Sequence, residues 1–331
     1  MKSVKNKQDH AVAVVIGALL AFVIVSSLMA SFVLWYIPAN GTSNDVKFDT
    51  QVETSLLNLQ NKLVNKSVYP GLPVVQNFDV GIPGTPPFSS NSNTFLSFLN
   101  SSGFHAQIRY NFTISFVYNK IQGNIVFNQT FNSQGQLYID TSTPFVPSDL
   151  LYFQNDAVVL NQQGSNYSQV LNGIPFYTSL NSSHNLSLQA SQYSINGISA
   201  SFGGYGSTLL TLEFSNLTQN DFTVGDNTTV SYHTVFVPVT ITKIRLDSFY
   251  YNVSGVSASA WNNTLASEYD QNSIVIGTSS TGYTWNFGNP YYPFSVFYHN
   301  DFISIYLNSK IAAVYPNSIG LNQYNLQLLN L

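Results

Sequence analysis

The sequence predicts a mainly β protein with one N-terminal transmembrane helix, its ectodomain an antiparallel β-sandwich or barrel-like fold packed on an amphipathic helix. Three observations predict it. Ala11 to Ile37 (AVAVVIGALLAFVIVSSLMASFVLWYI) carries no charge. A stretch with helical apolar spacing follows it. From Val74 onward, period-two alternation and short apolar runs separated by turn residues continue to the end of the chain.

As a helix, residues 11–37 span about 40 Å, more than the roughly 30 Å of a bilayer's hydrocarbon core. A core helix rarely stays apolar on every face for this length, and the apolar part of a cleaved secretory signal is shorter. Ser26, Ser27 and Ser31 can bond back to carbonyls one turn earlier. Trp35 and Tyr36 mark the membrane interface, and Pro38 and Gly41 are expected to stop or kink the helix. Lys2, Lys5 and Lys7 precede the segment, and the next cation is Lys47. The positive-inside bias therefore puts residues 1–10, a short tail or leader, in the cytoplasm and the bulk of the chain outside the cell membrane. The lipid bilayer is the first partner expected.

Asn40 to Asp45 reads as a polar hinge. Residues 45–68 read as an amphipathic helix, with Phe48, Val52, Leu56, Leu59 and Leu63 on one face. Asp45, Asp49 and Glu53 suit the positive end of its dipole, and Pro70-Gly71 stops it. Residues 71–331 form the β-rich domain, with a candidate loop between two subdomains at 162–172. Expected strands include 104–118 and 121–131 (joined at Asn119-Lys120), 136–139, 151–160, 194–202, 209–214, 230–237, 240–251, 274–276, 283–287, 293–298, 302–307 and 311–315. Ser257–Tyr269 is the one short helix expected among them. The uncharged terminal strand 324–331 would be an aggregation hazard at an open edge, so it is expected to be paired.

Only 8% of the 331 residues are charged and the net charge is −4. Amides, hydroxyls and aromatic rings must cover the surface instead, and there is no basic patch to serve nucleic acid. A surface of neutral groups changes little with pH, which suits an acidic or hot habitat. The chain has no cysteine, so disulfides and cysteine-ligated zinc or iron–sulfur centres are excluded. Asn-x-Ser/Thr occurs at Asn40, Asn65, Asn100, Asn111, Asn128, Asn166, Asn181, Asn185, Asn216, Asn227, Asn252 and Asn262, each a candidate for N-glycosylation on the outer side.

The chemistry-bearing motifs are weak. His10, His105, His184, His233 and His299 are isolated, and the nearest acid pairs are Asp149/Asp156 and Glu268/Asp270. No Gly-x-Ser-x-Gly elbow occurs, and Gly203-Gly204-Tyr205-Gly206 lacks the lysine and the setting of a phosphate loop, so a strand bend is expected there. No catalytic residue, metal site or cofactor is expected. Consecutive aromatics (Phe249, Tyr250, Tyr251; Tyr291, Tyr292) fit cross-strand packing, or binding of sugars or other subunits.

The segment Ala11-Val12-Ala13-Val14-Val15-Ile16-Gly17-Ala18-Leu19-Leu20 resembles the Gly/Ala-Val-Ser-Glu-Val-Ile-Gly-Ala-Leu-Leu pattern of archaeal type IV pilin-like and related membrane-anchored surface proteins. Trp35-Tyr36-Ile37-Pro38-Ala39, a following helix and Tyr69-Pro70-Gly71 are also similar to that group. The resemblance covers roughly the first 70 residues. It implies leader cleavage near His10, Ala11 and Val12, release into a surface filament, and partnership with other pilin-like subunits through the hydrophobic helix. Where the family has Lys or Arg before the cleavage point this chain has His10, and where it has a Glu in the mature helix this chain has Val14.

The function expected is that of a non-enzymatic surface structural protein, a pilin-like subunit or minor pilin in adhesion or surface architecture. The alternative is a single-pass anchored binding module for sugar or peptide that does not polymerise. An anchored hydrolase is the third reading.

Overall fold

A computed structural model describes the chain except for residues 1, 67–70, 85–89, 100–103, 119, 165–166, 174–175, 181–184, 197–199, 205, 225–228, 233–234, 239, 256–257, 270–273, 280–281, 287–293, 300–301, 308–314 and 331. Helix α1 (Lys2–Ser31) runs through a π-helical turn (Phe32–Tyr36) into α2 (Ile37–Lys66). Val12–Asn65 is thus one helix of 54 residues, about 80 Å long at 1.5 Å per residue.

This corrects two expectations. Neither Pro38 nor Gly41 stops the helix, and no hinge separates Asn40 from Asp45. Pro38 has no N–H to give Leu34, and its ring would crowd that carbonyl. The wide turn just before it relieves the conflict. There the Ile37 N–H reaches back five residues to the Phe32 carbonyl, and the rings of Phe32 and Tyr36 stack at 4.9 Å. Gly41 serves contact rather than termination: a Cβ there would lie 2.2 Å from the Phe145 ring. The helix end expected at Pro70 lies outside the described residues.

The strands follow. β1 (Pro73–Ile82) alternates, with Val74, Phe78 and Val80 buried. β2 (Ser92–Leu99) was not among the strands expected, because its Ser and Asn residues mask the alternation of Leu96 and Phe98. β3 (Phe104–Tyr118) and β4 (Ile121–Gln134) form the expected hairpin, paired from His105↔Gln134 to Tyr118↔Ile121. β5 (Gln136–Ser142) comes next.

The single strand expected over 151–160 is instead two, β6 (Asp149–Gln154) and β7 (Ala157–Gln162). Asn155 (φ 46°) and Asp156 (φ 66°) make a tight turn between them, a conformation these two residue types tolerate well. β8 (Ser168–Asn172) lies within the stretch expected as an intersubdomain loop and pairs antiparallel with β7. β9 (Phe176–Leu180), β10 (Asn185–Asn196), β11 (Ala200–Gly204) and β12 (Gly206–Val224) follow. Gly204 (φ 147°) and Gly206 (φ 110°) form the bend expected between the last two.

Next are β13 (Thr229–Tyr232), β14 (Val235–Pro238), β15 (Thr240–Gly255) and helix α3 (Ala258–Tyr269). Then come β16 (Ile274–Ser279), β17 (Gly282–Asn286), β18 (Phe294–His299), β19 (Phe302–Leu307) and β20 (Tyr315–Asn330).

Among the described residues these strands form a sheet of 13 and a sheet of 7. The larger runs β8-β7-β6-β5-β2-β1-β12-β20-β10-β9, and the smaller β16-β17-β18-β19-β15-β3-β4. The terminal strand β20 is paired inside the domain, antiparallel to β12 and parallel to β10. The second pairing makes the larger sheet mixed rather than purely antiparallel.

The layers are helix, sheet, sheet. Alternate residues of β6 and β7 face opposite ways: Leu151, Phe153 and Val158 join the core beneath α2. Tyr152, Ala157 and Val159 join the core shared with the smaller sheet and Trp261 of α3.

Candidate functional site: the exposed rod and its seat

The long helix has two halves of opposite character. Every residue from Val12 to Tyr36 is exposed, including Val14, Leu34 and Trp35 at 72%, 78% and 76%. The exposure begins to close at Ile37. Beyond it Phe48, Val52, Leu56, Leu59 and Leu63 are completely buried against Val74, Phe78, Phe98, Leu137, Phe153 and Leu212. These five side chains are the stripe expected from the sequence. Each contributes about 1.5–3 kcal/mol on burial, which fixes the outer half of the rod to the domain.

Polar groups pin the seat along its length. Near the start, Asp45 accepts from Ser92 Oγ at 2.6 Å and from the Phe145 N–H at 2.8 Å. Towards the end, the Lys62 ammonium donates to the Val75 carbonyl and Gln76 Oε1, both at 2.8 Å. Between them Gln60 Nε2 donates to the Asp156 carbonyl at 2.7 Å. Gly173 (φ 93°) is required beside this contact, since a Cβ would lie 2.0 Å from the Asp156 carbonyl and 2.4 Å from Gln60 Nε2.

The seat is also acidic. Burial, reinforced by the Asp149 carboxylate, pushes Asp49 up to about 7, with an opposing bond to Thr141. Burial and Asp149 raise Glu53, and burial raises Asp149 against a bond from Gln162. Sequence reasoning assigned Asp45, Asp49 and Glu53 to the helix dipole. With the helix continuous they lie far from its start, and two of them face Asp149 across the seat.

The pair Asp149/Asp156 is not a pair in space that the fold uses. Asp149 faces the helix, while burial alone pushes Asp156 up to about 7 in the β6–β7 turn. Its neighbour Asn155 ties the two sheets: its Oδ1 accepts from Ser133 Oγ and the Tyr193 N–H, each at 3.2 Å, and its Nδ2 donates to the Tyr251 hydroxyl at 2.7 Å. Sequence reasoning missed Asn155, although an Asn-Asp step between two apolar runs is a hairpin signal.

Of the other residues singled out, His105 lies in β3 and His299 in β18, while His184, His233 and Asp270 lie outside the described residues. No group of three or more His, Asp or Glu suited to a metal occurs among the described residues. Of the sequons, Asn40, Asn65 and Asn128 are exposed, and Asn111 and Asn252 are half-buried in strands. Asn185 lies in β10 and Asn216 in β12, and Asn100, Asn166, Asn181 and Asn227 lie outside the described residues. Asn262 is 5% exposed in α3, so the folded domain leaves no room for a sugar on it. Asn40 donates to the Tyr36 carbonyl at 2.9 Å, where the helix leaves its apolar half.

No family model, curated protein or solved structure matches the chain.

Proposed function

We propose that the chain is a non-enzymatic cell-surface structural protein, a pilin-like subunit or minor pilin that serves adhesion or surface architecture. In this reading the N-terminus is cytoplasmic and residues 38–331 lie outside the cell. One observation carries it. An apolar half-helix exposed on every face continues, without a joint, into a half-helix locked in a β domain.

So much exposed apolar surface requires lipid or like helices around it. Because the rod is continuous, whatever holds its inner half also sets the position of the domain. A bilayer is one such environment, and a bundle of identical helices is the other. Gly17, where a Cβ would meet nothing within 4 Å, and Ala18, Ala21 and Ala30 along the same segment let neighbouring backbones approach closely. Lys2, Lys5 and Lys7 support the orientation.

The test is the N-terminal peptide of the native protein, read by mass spectrometry on membranes and on material sheared from cells. The expected result is a start near Ala11 or Val12 in the sheared fraction. A start at Met1 or Lys2, confined to membranes, would sink the filament reading and select a permanently anchored binding module.

A further inference from the structure

We propose that the outer face of the smaller sheet binds a neutral saccharide chain, in a cleft floored by β3, β4, β15 and β19 and walled by the end of β10. The cleft encloses about 830 Å³, within the range of small-ligand sites.

Strand register builds the floor. Ser304, Asn252, Gln107 and Asn132 lie side by side across four strands. The next row along the strands is Phe302, Ser254, His105 and Gln134. On the other side of the Asn252 row stand Tyr306 and Tyr250. All alternate with Ala106, Ile108, Phe249, Tyr251 and Val253, which point into the core. Ser194 and Asn196 of β10 form the wall.

The chemistry is that of a polyol site. The central row holds three side-chain amides in a fixed arrangement. Ser304 Oγ donates to Asn252 Oδ1 at 2.6 Å, and Gln107 Nε2 donates to Asn132 Oδ1 at 2.8 Å. These bonds orient the amides and leave the Asn252 Nδ2 donor and the Gln107 Oε1 acceptor without a described protein partner on adjacent strands. A donor beside an acceptor, with hydroxyls around them, matches the paired hydroxyls of a sugar ring, each of which both gives and takes a hydrogen bond.

Aromatic rings stand at the two ends. Tyr250, 38% exposed, stacks on Tyr306 at 6.4 Å. Phe302 packs against Phe297 and His299, each at 5.6 Å. Tyr250 and Ser254, which lies in the Phe302 row, are four residues apart along β15, or about 13 Å, a span suited to several sugar units. Apolar ring faces complete the match to the C–H faces of sugars.

Other ligand classes fit less well. No Lys, Arg, Asp or Glu lines the cleft, so His105 alone could answer an acidic ligand, and Arg109 in the Tyr250 row is not among the lining groups. β3, β15 and β19 are each paired on both sides, and β4, the edge strand, has β10 packed beside it, so a peptide finds little open strand edge to extend there.

This proposal does not depend on the fate of the leader. The test is calorimetric titration of the full chain in detergent micelles with mannotriose, maltotriose and chitotriose, and with a hyaluronan tetrasaccharide as the acidic control. At least one neutral trisaccharide should saturate one site. Asn252→Ala, Gln107→Ala and Tyr250→Ala should each weaken it about tenfold, the loss of one well-made contact. Gln122→Ala, further along the same hairpin, should leave affinity unchanged. Near-UV circular dichroism checks that each variant is folded, and Tyr250→Ala, the most exposed of the three, stands in if an amide variant is not. No binding of any neutral sugar, preference for the acidic one, or affinity indifferent to these changes would overturn the proposal. So would glycopeptide mass spectra showing that Asn252, itself in an Asn-x-Ser sequence, carries its own glycan and fills the cleft.

Discussion

Asp49 sits where a carboxylate is held at a cost: half-buried on α2 where it meets the sheet, with Asp149 opposite. A carboxyl lifted from 3.8 to about 7 in the fold binds its proton more tightly folded than unfolded. Below about pH 4 both states are protonated and it costs nothing. Stability then falls as pH rises from about 4 through about 7, where the folded state finally gives up the proton. Glu53 and Asp149 are raised in the same direction and add to the slope. The domain is therefore expected to be more stable in mild acid than at neutrality. Asp49→Asn should flatten that dependence and raise the neutral urea midpoint. Urea unfolding at about pH 4 and about pH 7 checks both. The acid-suited surface expected from composition and this buried cluster argue in the same direction from unrelated residues. Asn155 is the second single residue on which much depends. Asn155→Gly keeps the positive φ but removes the three bonds that Asn155 makes to Ser133 Oγ, the Tyr251 hydroxyl and the Tyr193 N–H. A loss of roughly 1.5–4.5 kcal/mol is expected, at about 0.5–1.5 kcal/mol for each of the three hydrogen bonds removed. Denaturant unfolding measures it.

Between elements, glycines with similar backbone angles separate strain from crowding. Gly71 (φ 91°) meets nothing within 4 Å, while Gly173 (φ 93°) abuts the Asp156 carbonyl, Gln60 and Ala157. Gly71→Ala should cost about 1–2 kcal/mol from conformation alone. Gly173→Ala should cost at least about 2 kcal/mol more, because the Asp156–Ala157 backbone must shift. Thermal midpoints of the pair test this directly. The same contrast explains what was legible in advance. The 104–131 hairpin, the 302–307 strand and the α2 stripe are spelled by local period, and the structure places them as the sequence does, with β4 running three residues further. β2 and β8 are spelled largely in Ser, Asn and Gln, residues that period-two reading passes over; β2 is a strand because β1, β5 and β11 supply its ladder, and β8 because β7 does. Pro38 and Gly41 were misread for a related reason. Their usual meaning is local, but here the neighbouring wide turn and the Phe145 ring decide the outcome. The cleft was least legible, since its amides and hydroxyls meet only through the registers of β3, β4, β15 and β19.

At the scale of the molecule, the long helix divides into a part the domain does not need and a part it cannot lose. Residues 12–36 are exposed and none joins either core, so removing them takes away no core contact. A fragment beginning at Ile37 should be soluble without detergent, with a thermal midpoint within a few degrees of the full chain in micelles. A fragment beginning at Gly71 differs by one more helix, yet it strips Phe48, Val52, Leu56, Leu59 and Leu63 from a core that also holds Phe78, Phe98, Leu137 and Leu212. Removing them uncovers the apolar side chains they pack on in the larger sheet, at about 25 cal/mol per Å² of surface returned to water. That fragment should aggregate or remain partly unfolded. Leu56→Ala in the fragment beginning at Ile37 gives the graded version, with an expected loss of about 2–5 kcal/mol. Circular dichroism melts and size-exclusion chromatography of the three proteins decide the matter. If the Gly71 fragment were monomeric and as stable as the longer one, the helix would be an accessory to the domain rather than its third layer. The rigid coupling of anchor to domain would then have no basis.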